Sequence, residues 1–385
     1  MMTRKVAIFT ETFLPKIDGM VTITCLLLEH LRRVDADVML FASGNRVDEY
    51  AGYPVVSMRG LPVPIYPELE LALPGPRVRQ QLADFNPDVI HVMNPVMSGL
   101  RGIQFAKQMQ KPLVMSFHTH LMEMARFYGY GIFEDTLWYL HRLGYKHADA
   151  VLATSKHAAA DLEAHGISPV SVWRRGVDVE RFSPDFATDE MRRRLTRNHP
   201  ERTVLLSAGR LAPEKQVEQI KHVLDAAPCV HLAIVGDGPY RAKLEDVYRG
   251  YPVTFVGYMS GDDLSSAYAS ADIFVFPSSS IETFGLVAAE AMASGLATVA
   301  SRVGGMPELI AHGENGYLFA ENDTAHMVEL VRDMVEHPEK RQQFGVAGRK
   351  TLSVLSWTVI MDELFALYDD VIAEKASKAR VRIIV

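Results

Sequence analysis

Two carboxylates eight residues apart mark the stretch SSSIETFGLVAAEAMASG, which runs from Ser278 to Gly295. Glu282 lies in a loop after a predicted strand, and Glu290 lies inside the predicted helix that Gly295 ends. Carboxylates accept hydrogen bonds from sugar hydroxyls, and acidic residues bind ribose diols in nucleotide-binding folds. Glu290 could also be a solvated helix charge. Its neighbours are mostly alanine and methionine, however, and a glutamate buried among them needs a partner.

The residues between the two glutamates favour a bound anion or hydroxyl group. Thr283, Phe284 and Gly285 directly precede the helix, and we expect their backbone N–H groups to point towards its N-terminus. A helix N-terminus binds anions through such groups and through the helix dipole. Gly285 also allows the backbone to approach a ligand closely.

Cations follow an earlier predicted strand, in SAGRLAPEKQ. Gly209 permits a close backbone approach, and Arg210 and Lys215 would neutralise the diphosphate of a departing nucleotide. Two surface cations on a loop are the alternative. The next strand ends in GDGPYR, in which Gly236 and Gly238 form a turn that could line a nucleotide pocket. This is not the GxGxxG pattern of dinucleotide-dependent oxidoreductases.

Short apolar runs rich in β-branched residues alternate with helical patterns and would position these residues. Such strands are typical of parallel sheets covered by helices on both faces. The predicted strands are 5–10, 37–42, 88–93, 112–117 and 150–155, then 203–210, 231–238, 253–258, 273–278 and 297–303. We therefore predict an α/β fold of two doubly wound, Rossmann-like domains facing a cleft. The expected divisions are 1–175, a linker at 176–200, a second domain at 201–355, and a helix and tail at 356–385 that cross back to the first domain.

Composition and charge exclude several classes of protein. The chain has 385 residues, of which 48% are hydrophobic and 23% charged, and a net charge of −7. A general nucleic-acid binder is therefore not expected. Two cysteines far apart in sequence fit a reducing compartment. The N-terminal apolar run is too short for a signal peptide, and no run of 18 apolar residues predicts a membrane span, so we expect a cytoplasmic protein.

These motifs together resemble the retaining family-four glycosyltransferases of GT-B architecture, over nearly the whole chain. The resemblance rests on Glu282-x7-Glu290, on Gly209-Arg210 with Glu214-Lys215 upstream, and on Gly304-Gly305 downstream. It implies that Glu282 contacts the donor sugar, that Glu290 contacts the ribose, and that Arg210 and Lys215 bind the donor diphosphate. Gln216 stands where the family usually has glycine.

The first half of the chain agrees with this resemblance. Asp18-Gly19 follows the first strand, where the family places a glycine-rich loop against the donor phosphates, and only Gly19 matches it. In SFHTH, His118 matches the histidine that the family holds near the reacting sugar. It would bind a sugar hydroxyl and help position an oxocarbenium-like state. His120 is an alternative functional residue, and both histidines could be structural. The implied chemistry needs no protein nucleophile, no metal and no cofactor.

A segment rich in Met, Phe, Tyr and Trp, residues 118–149, is the candidate acceptor region. It includes His120, Arg126 and Tyr128, which we predict to contact the acceptor. With the proline-broken loop 59–79 it would suit a lipid acceptor and peripheral contact with the inner face of a membrane. A helical core is the alternative reading of the segment.

Four further motifs refine the resemblance: TETFLPKIDGMVT, YPELELALP, SFHTHL and VWRRGVDVERFSP. They look most like sulfolipid synthases, which transfer sulfoquinovose from UDP to diacylglycerol. They look nearly as much like GDP-mannose-dependent α-mannosyltransferases and glucosyl-diacylglycerol synthases. Arg174, Arg175 and Arg302 are the candidates to bind a sulfonate.

Three other classes fit less well. A metal-dependent GT-A enzyme would use Asp-x-Asp at a strand end, whereas DAD at 35–37 precedes a strand. A nucleotide-sugar epimerase shares the two-domain architecture but has no use for an apolar acceptor segment. A two-lobed sugar-binding protein would usually be exported.

Overall fold

The computed structural model describes residues 4–384, apart from residues 17, 44–46, 59, 64–65 and 73–74. The chain forms two compact units. The N-terminal domain comprises Met1–Arg174 with Thr358–Val385, and the C-terminal domain comprises Arg175–Trp357.

The N-terminal domain is built on an eight-stranded sheet in the order β10-β9-β8-β7-β1-β2-β4-β3. All neighbours pair in parallel except β3 and β4. Two further strands, β5 and β6, form a separate antiparallel hairpin. The strands are β1 Lys5–Thr10, β2 Asp37–Ser43, β3 Glu49–Tyr50, β4 Tyr53–Met58, β5 Gly60–Val63, β6 Tyr66–Ala72, β7 Val89–Val92, β8 Leu113–Phe117, β9 Ala150–Ala153 and β10 Ser171–Val172.

The C-terminal domain has a six-stranded parallel sheet in the order β13-β12-β11-β14-β15-β16. Its apolar strand residues alternate between two cores, as the strand period of two requires. Leu206 and Phe274 pack on one face, and Leu205 and Ile273 pack on the other. The strands are β11 Thr203–Ala208, β12 Val230–Val235, β13 Val253–Gly257, β14 Ile273–Phe276, β15 Ala297–Ser301 and β16 Tyr317–Phe319.

Helices connect the parallel strands in both domains. In the N-terminal domain they are α1 Gly19–Arg33, α2 Pro76–Phe85, α3 Met97–Met109, α4 Leu121–Phe127, α5 Glu134–Tyr145 and α6 Lys156–Ala164. The later helices are α7 Asp189–Leu195, α8 Lys221–Ala226, α9 Arg241–Val247, α10 Gly261–Ala269, α11 Leu286–Ala293, α12 Met306–Leu309, α13 Thr324–Glu336, α14 Pro338–Leu352 and α15 Trp357–Ile384.

The predicted fold class is confirmed, because each of the ten predicted strands corresponds to a parallel strand of one of the two large sheets. The prediction of a loop over 59–79 is wrong in part. Two strands and the start of a helix occupy most of that stretch, and residues 59, 64–65 and 73–74 of it lie outside the described part of the chain.

The last helix, α15, belongs with the N-terminal domain from Thr358 onwards. Lys375 binds the Asp149 carboxylate at 2.8 Å, and Arg4 pairs with Asp369. The helical stretch Pro338–Lys378 is long and apolar enough to cross a membrane by length and composition alone. That is weak evidence for a span, because core helices pass the same test and α15 buries Ile360, Met361, Leu364 and Tyr368.

Candidate functional site

The carboxyl ends of β11 and β12 lie in close contact through their glycines. A Cβ atom on Gly236 would stand 1.9 Å from the carbonyl oxygen of Gly209. The N–H of Gly209 donates to the carbonyl of Val235 at 3.0 Å. A Cβ atom on Gly238 would lie 2.3 Å from the carbonyl oxygen of Leu211. The GDGP sequence therefore serves the packing of two strand ends, which places Arg210 at the edge of the sheet.

Two ion pairs hold the cations that follow β11. Arg210 binds Glu214 at 2.7 Å, and Glu214 is buried. Lys215 ends the short 3₁₀ turn Pro213–Lys215, and its ammonium lies 2.6 Å from Oε2 of Glu282. Lys215 and Glu282 are both largely withdrawn from solvent, with side-chain exposures of 25% and 14%. Both cations are thus paired and partly buried, and their binding of a diphosphate stays a prediction.

The environment of Glu282 keeps its carboxylate ionised. Burial alone would raise its pKa, but the Lys215 ammonium and the N–H groups of Phe284 and Gly285 outweigh burial and hold the pKa below its ordinary value. The Phe284 N–H lies 3.4 Å from Oε1 of Glu282. This N–H group was expected to face a bound anion, and instead it faces the carboxylate of its own loop.

The Gly304-Gly305 pair fixes the position of the Glu282 loop. A Cβ atom on Gly304 would lie 1.8 Å from the carbonyl oxygen of Glu282, and one on Gly305 would lie 3.1 Å from Cα of Phe284. Only glycine permits this contact between two backbone segments. Gly285 caps α11 and, with Thr283, completes the loop that precedes that helix.

Glu290 lies in α11 and is bound to a buried tyrosine. The Tyr268 hydroxyl donates to Oε2 of Glu290 at 2.9 Å, so the reading of Glu290 as a solvated helix charge is wrong. Burial raises the pKa of Glu290 to about 7, against smaller opposing effects of the Tyr268 hydroxyl and of Arg181. Sequence reasoning missed Tyr268, because its contact with Glu290 joins two helices and leaves no periodic signal.

In the N-terminal domain, the loop after β1 leads into α1 through an N-cap. Asp18 accepts a hydrogen bond from the N–H of Val21 at 2.9 Å and pairs with Lys16 at 3.1 Å. Gly19 is the first residue of α1 and is exposed. The predicted turn at Asp18-Gly19 is thus the start of a helix at a strand end.

The two histidines of SFHTH have different surroundings. Nε2 of His118 lies 2.7 Å from Oγ of Ser116, and its ring meets Trp173 edge to face. His120 is buried, binds Asp161 at 2.7 Å through Nε2, and caps α4 through Nδ1. Both ring nitrogens of His120 are therefore engaged within the domain. A sugar contact by His118 stays a prediction.

The predicted acceptor residues lie on α4 and at its end. Arg126 is exposed and pairs with Glu123 at 2.7 Å and with Glu134 at 2.5 Å. Tyr128 is the half-buried C-cap residue of α4. Their role in binding an acceptor stays a prediction.

The three arginines suggested for a sulfonate differ in exposure. Arg174 pairs with Glu363 at 3.0 Å, and Arg302 is exposed. Arg175 is buried at 2% exposure, which lowers its pKa to about 9.

Among the residues that the structure describes, no cluster of three or more His, Cys, Asp or Glu side chains could hold a metal ion.

Two α/β domains, each built on a mainly or wholly parallel sheet covered by helices, form the GT-B architecture of glycosyltransferases. The family model "Glycosyl transferases group 1" matches residues 188–351, and the family model "Glycosyltransferase Family 4" matches residues 17–181. The chain belongs to the group 1 glycosyltransferases.

Individual relatives support this membership. The chain is 36% identical over 338 residues to sulfoquinovosyl transferase SQD2 of Arabidopsis thaliana, a match that spans 86% of this chain and 66% of that protein. It is 34% identical over 386 residues to a GDP-mannose-dependent alpha-mannosyltransferase of Mycolicibacterium smegmatis, which spans 97% of this chain and 100% of that protein.

Solved structures confirm the GT-B fold. Sucrose-phosphate synthase from Thermosynechococcus elongatus superimposes with a TM-score of 0.80 at 22% identity, over 96% of this chain and 100% of that one. Anabaena HepE, solved in complex with UDP and glucose, gives a TM-score of 0.78 at 18% identity over 95% and 100%.

Replacement of Glu290 by glutamine should change how stability depends on pH. The folded protein holds the Glu290 proton more tightly than the unfolded chain, where the group titrates near 4.5. The bound proton contributes its whole stabilisation below about pH 4.5, and that stabilisation is lost as the pH rises through about 7. Urea unfolding measures the free energy of unfolding of both proteins. Between about pH 5 and pH 8 the value for Glu290→Gln should rise by about 2 kcal/mol relative to the value for the wild type.

The matched control is Glu329→Gln, which changes an exposed glutamate on α13. Its stability relative to wild type should stay level over the same pH range. A constant difference between Glu290→Gln and wild type would show that Glu290 does not titrate there.

Proposed function

We propose that the protein is a retaining, metal-independent glycosyltransferase that moves a hexose from a nucleotide-sugar to a lipid acceptor. The favoured donor is UDP-sulfoquinovose or another UDP-hexose, and the favoured acceptor is diacylglycerol. We place the reaction at the cytoplasmic face of a membrane, with the protein bound peripherally. No cofactor takes part, since the nucleotide-sugar is itself a substrate.

The observation that carries the proposal is the Lys215–Glu282 pair at the carboxyl edge of the C-terminal sheet. It sets an ammonium 2.6 Å from a carboxylate that is kept ionised. A nucleotide-sugar offers a complementary pattern, with an anionic diphosphate next to a sugar ring whose hydroxyl groups donate hydrogen bonds. Lys215 and Arg210 would take the diphosphate, and Glu282 would accept hydrogen bonds from the sugar.

Glu290 extends this pattern towards the nucleoside. Its carboxyl group belongs to the second turn of α11, where the Tyr268 hydroxyl already binds one oxygen. A ribose diol offers two donors to such an acceptor. Binding of a diol would favour the ionised form of Glu290, whose pKa lies near 7 in the ligand-free protein.

The chemistry that we propose uses the donor's own phosphate as the base. The bond between the anomeric carbon and the phosphate oxygen breaks, and the acceptor hydroxyl attacks from the face that the phosphate leaves. That phosphate oxygen takes the acceptor's proton, so the anomeric configuration is retained. The protein's part is to stabilise the charge on the departing diphosphate through Lys215 and Arg210.

A run of exposed apolar side chains supports the lipid acceptor. Between α4 and the end of α5 the surface carries Phe127, Tyr130, Ile132, Phe133, Tyr139, Leu140 and Leu143, with exposures from 36% to 86%. The exposed cations Arg142 and Lys146 lie on the same helix or at its end. Apolar side chains that insert among acyl chains beside cations that meet anionic headgroups make a membrane-contact surface. We call residues 127–146 the apolar segment.

We infer the donor sugar from the proteins to which this chain is similar. The sulfoquinovosyl transferase has the higher identity, which favours a UDP-linked sulfosugar. A GDP-mannose-dependent alpha-mannosyltransferase is the second candidate, because that match extends over the full length of the relative and nearly all of this chain.

Transfer assays should separate the two candidates. Purified protein is incubated with UDP-sulfoquinovose, UDP-glucose or GDP-mannose and with diacylglycerol in mixed micelles, and lipid products are analysed by mass spectrometry and NMR. We expect a sulfoquinovosyl or glucosyl lipid of retained configuration, formed equally well with EDTA. A mannosyl product would support the second candidate, and strict dependence on Mg²⁺ or Mn²⁺ would refute the metal-independent mechanism.

The same assay tests the site. Glu282→Ala should lower turnover by about tenfold or more, because the variant loses its acceptor for the sugar hydroxyls and leaves Lys215 without its partner. Glu329→Ala, a change on an exposed face of α13, should keep wild-type turnover. Near-normal transfer by a folded Glu282→Ala protein would remove Glu282 from the donor site.

Vesicle flotation tests the membrane contact. Wild-type protein should float with vesicles of phosphatidylcholine and phosphatidylglycerol, and the double variant Ile132→Ser/Leu140→Ser should bind several-fold less, since each exposed side chain contributes apolar area to insertion. Val346→Ser is the control, because Val346 is 67% exposed on α14. Equal flotation of all three proteins would place the contact elsewhere.

A further inference from the structure

A chain of hydrogen bonds runs from α15 to His118 through the interior of the N-terminal domain. Nδ1 of His91 lies 2.6 Å from the Tyr368 hydroxyl, and Nε2 of His91 lies 2.9 Å from Oγ of Ser116. The same Oγ lies 2.7 Å from Nε2 of His118. His91, Ser116 and Tyr368 are each no more than 1% exposed. Three polar side chains in an apolar sheet core are costly unless all their groups are bonded.

The fold brings these residues together from three elements. His91 lies in β7 and Ser116 in the neighbouring parallel strand β8, while Tyr368 comes from α15. Trp173 packs against the rings of both histidines, with centroids 5.9 Å from His91 and 5.7 Å from His118. The aromatic contacts restrict how either ring can turn.

The direction of the hydrogen bonds follows from Tyr368. Burial raises the pKa of its phenol well above the usual range, so the hydroxyl keeps its proton. Among the described residues its hydrogen-bond partner is His91, and a buried hydroxyl that left its proton unbonded with a ring nitrogen 2.6 Å away would lose the free energy of that bond. Tyr368 therefore donates to Nδ1 of His91, and the proton of neutral His91 lies on Nε2.

The remaining bonds are then determined. Nε2–H of His91 donates to Oγ of Ser116, and the single hydroxyl proton of Ser116 is left to donate to Nε2 of His118. Nε2 of His118 is an acceptor, so the proton of its neutral ring lies on Nδ1. The hydrogen bond at one ring nitrogen thus sets the protonation of the other.

We propose that Tyr368, His91 and Ser116 form a relay that fixes His118 in the tautomer protonated at Nδ1 and in one ring orientation. The three are positioning residues, and they act on the reaction only through His118. The inference rests on the proposed function in one respect, which is that His118 is the side chain that meets the donor sugar. It makes His118 a hydrogen-bond donor through Nδ1 towards sugar oxygens, not an acceptor.

The tautomer is testable without any substrate. Protein labelled with ¹⁵N at histidine is studied by long-range ¹H–¹⁵N correlation spectra, with the His118 signals assigned by their loss in His118→Gln. In the wild type, Nδ1 should show the shift of a protonated nitrogen and Nε2 that of an unprotonated acceptor. Ser116→Ala and Tyr368→Phe should move His118 to a mixture of the two tautomers.

Matched controls exist in the same domain. Ser43 and Tyr145 are buried, and among the described residues their hydroxyl groups have no hydrogen-bond partner. Ser43→Ala and Tyr145→Phe therefore delete the same atoms without touching the relay. Both should leave the His118 shifts unchanged. The relay would be overturned if His118 of the wild type were protonated at Nε2. It would also be overturned if the tautomer of His118 were unchanged in Ser116→Ala.

Kinetics provide the second arm. In transfer assays, Ser116→Ala and Tyr368→Phe should lower kcat by about tenfold or more with the KM for the donor within about twofold, since a wrong tautomer impairs the reacting state and not the binding of the nucleotide. Ser43→Ala and Tyr145→Phe should keep the wild-type kcat. A wild-type kcat in both relay variants would contradict the relay.

Failure of the relay and failure of the proposed function give different results. If wild-type protein transfers no sugar from any donor while the NMR shifts respond to Ser116→Ala, the proposed function fails and the relay stands. If transfer occurs but the His118 chemical shifts and kcat are the same in the relay variants as in the wild type, the relay alone fails.

Discussion

The ion pair between Lys215 and Glu282 depends on how closely the backbone packs around it. Glu282 stays ionised in a largely buried loop because an ammonium and two N–H groups surround its carboxylate. The loop keeps that geometry because Gly304 lets a second backbone segment lie against the carbonyl of Glu282. Lys215 in turn is placed by the strand β11 and the short turn that follows it. Removal of Lys215 would leave the largely buried charge of Glu282 without its cation.

The two glutamates of one sequence motif have opposite electrostatic properties. Lys215 and the loop N–H groups lower the pKa of Glu282, whereas burial raises the pKa of Glu290 to about 7. Glu282 is therefore a permanent anion at neutral pH, suited to hold a sugar beside a cation. Glu290 changes protonation near neutral pH, so a ligand that hydrogen-bonds to it also changes its charge. Such divergence between neighbouring carboxyl groups is typical of functional sites.

The sequence predicted the α/β class and ten of the parallel strands, because strands buried on both faces are uninterrupted apolar runs. It did not predict β4, an inner strand of the first sheet. It could not predict the short edge strands β3, β10 and β16, which are two or three residues long and have no period. Nor could it predict the hydrogen bond between Tyr268 and Glu290 or the series of hydrogen bonds from Tyr368 to His118, since both join residues distant in sequence. Aromatic content marked the segment around α5, but only the structure showed that Ile132 and Phe133 face solvent.

The proposed donor site requires that the C-terminal domain bind a nucleotide through Lys215. Thermal unfolding without metal, in UDP and in GDP, tests it most directly, because a ligand that binds only the folded protein raises Tm. We expect one nucleotide to raise the Tm of wild type by several degrees. Lys243→Met, a control at an exposed lysine, should show the same rise. Lys215→Met should lose that rise. An unchanged Tm with both nucleotides, or an equal rise in Lys215→Met, would contradict the assignment.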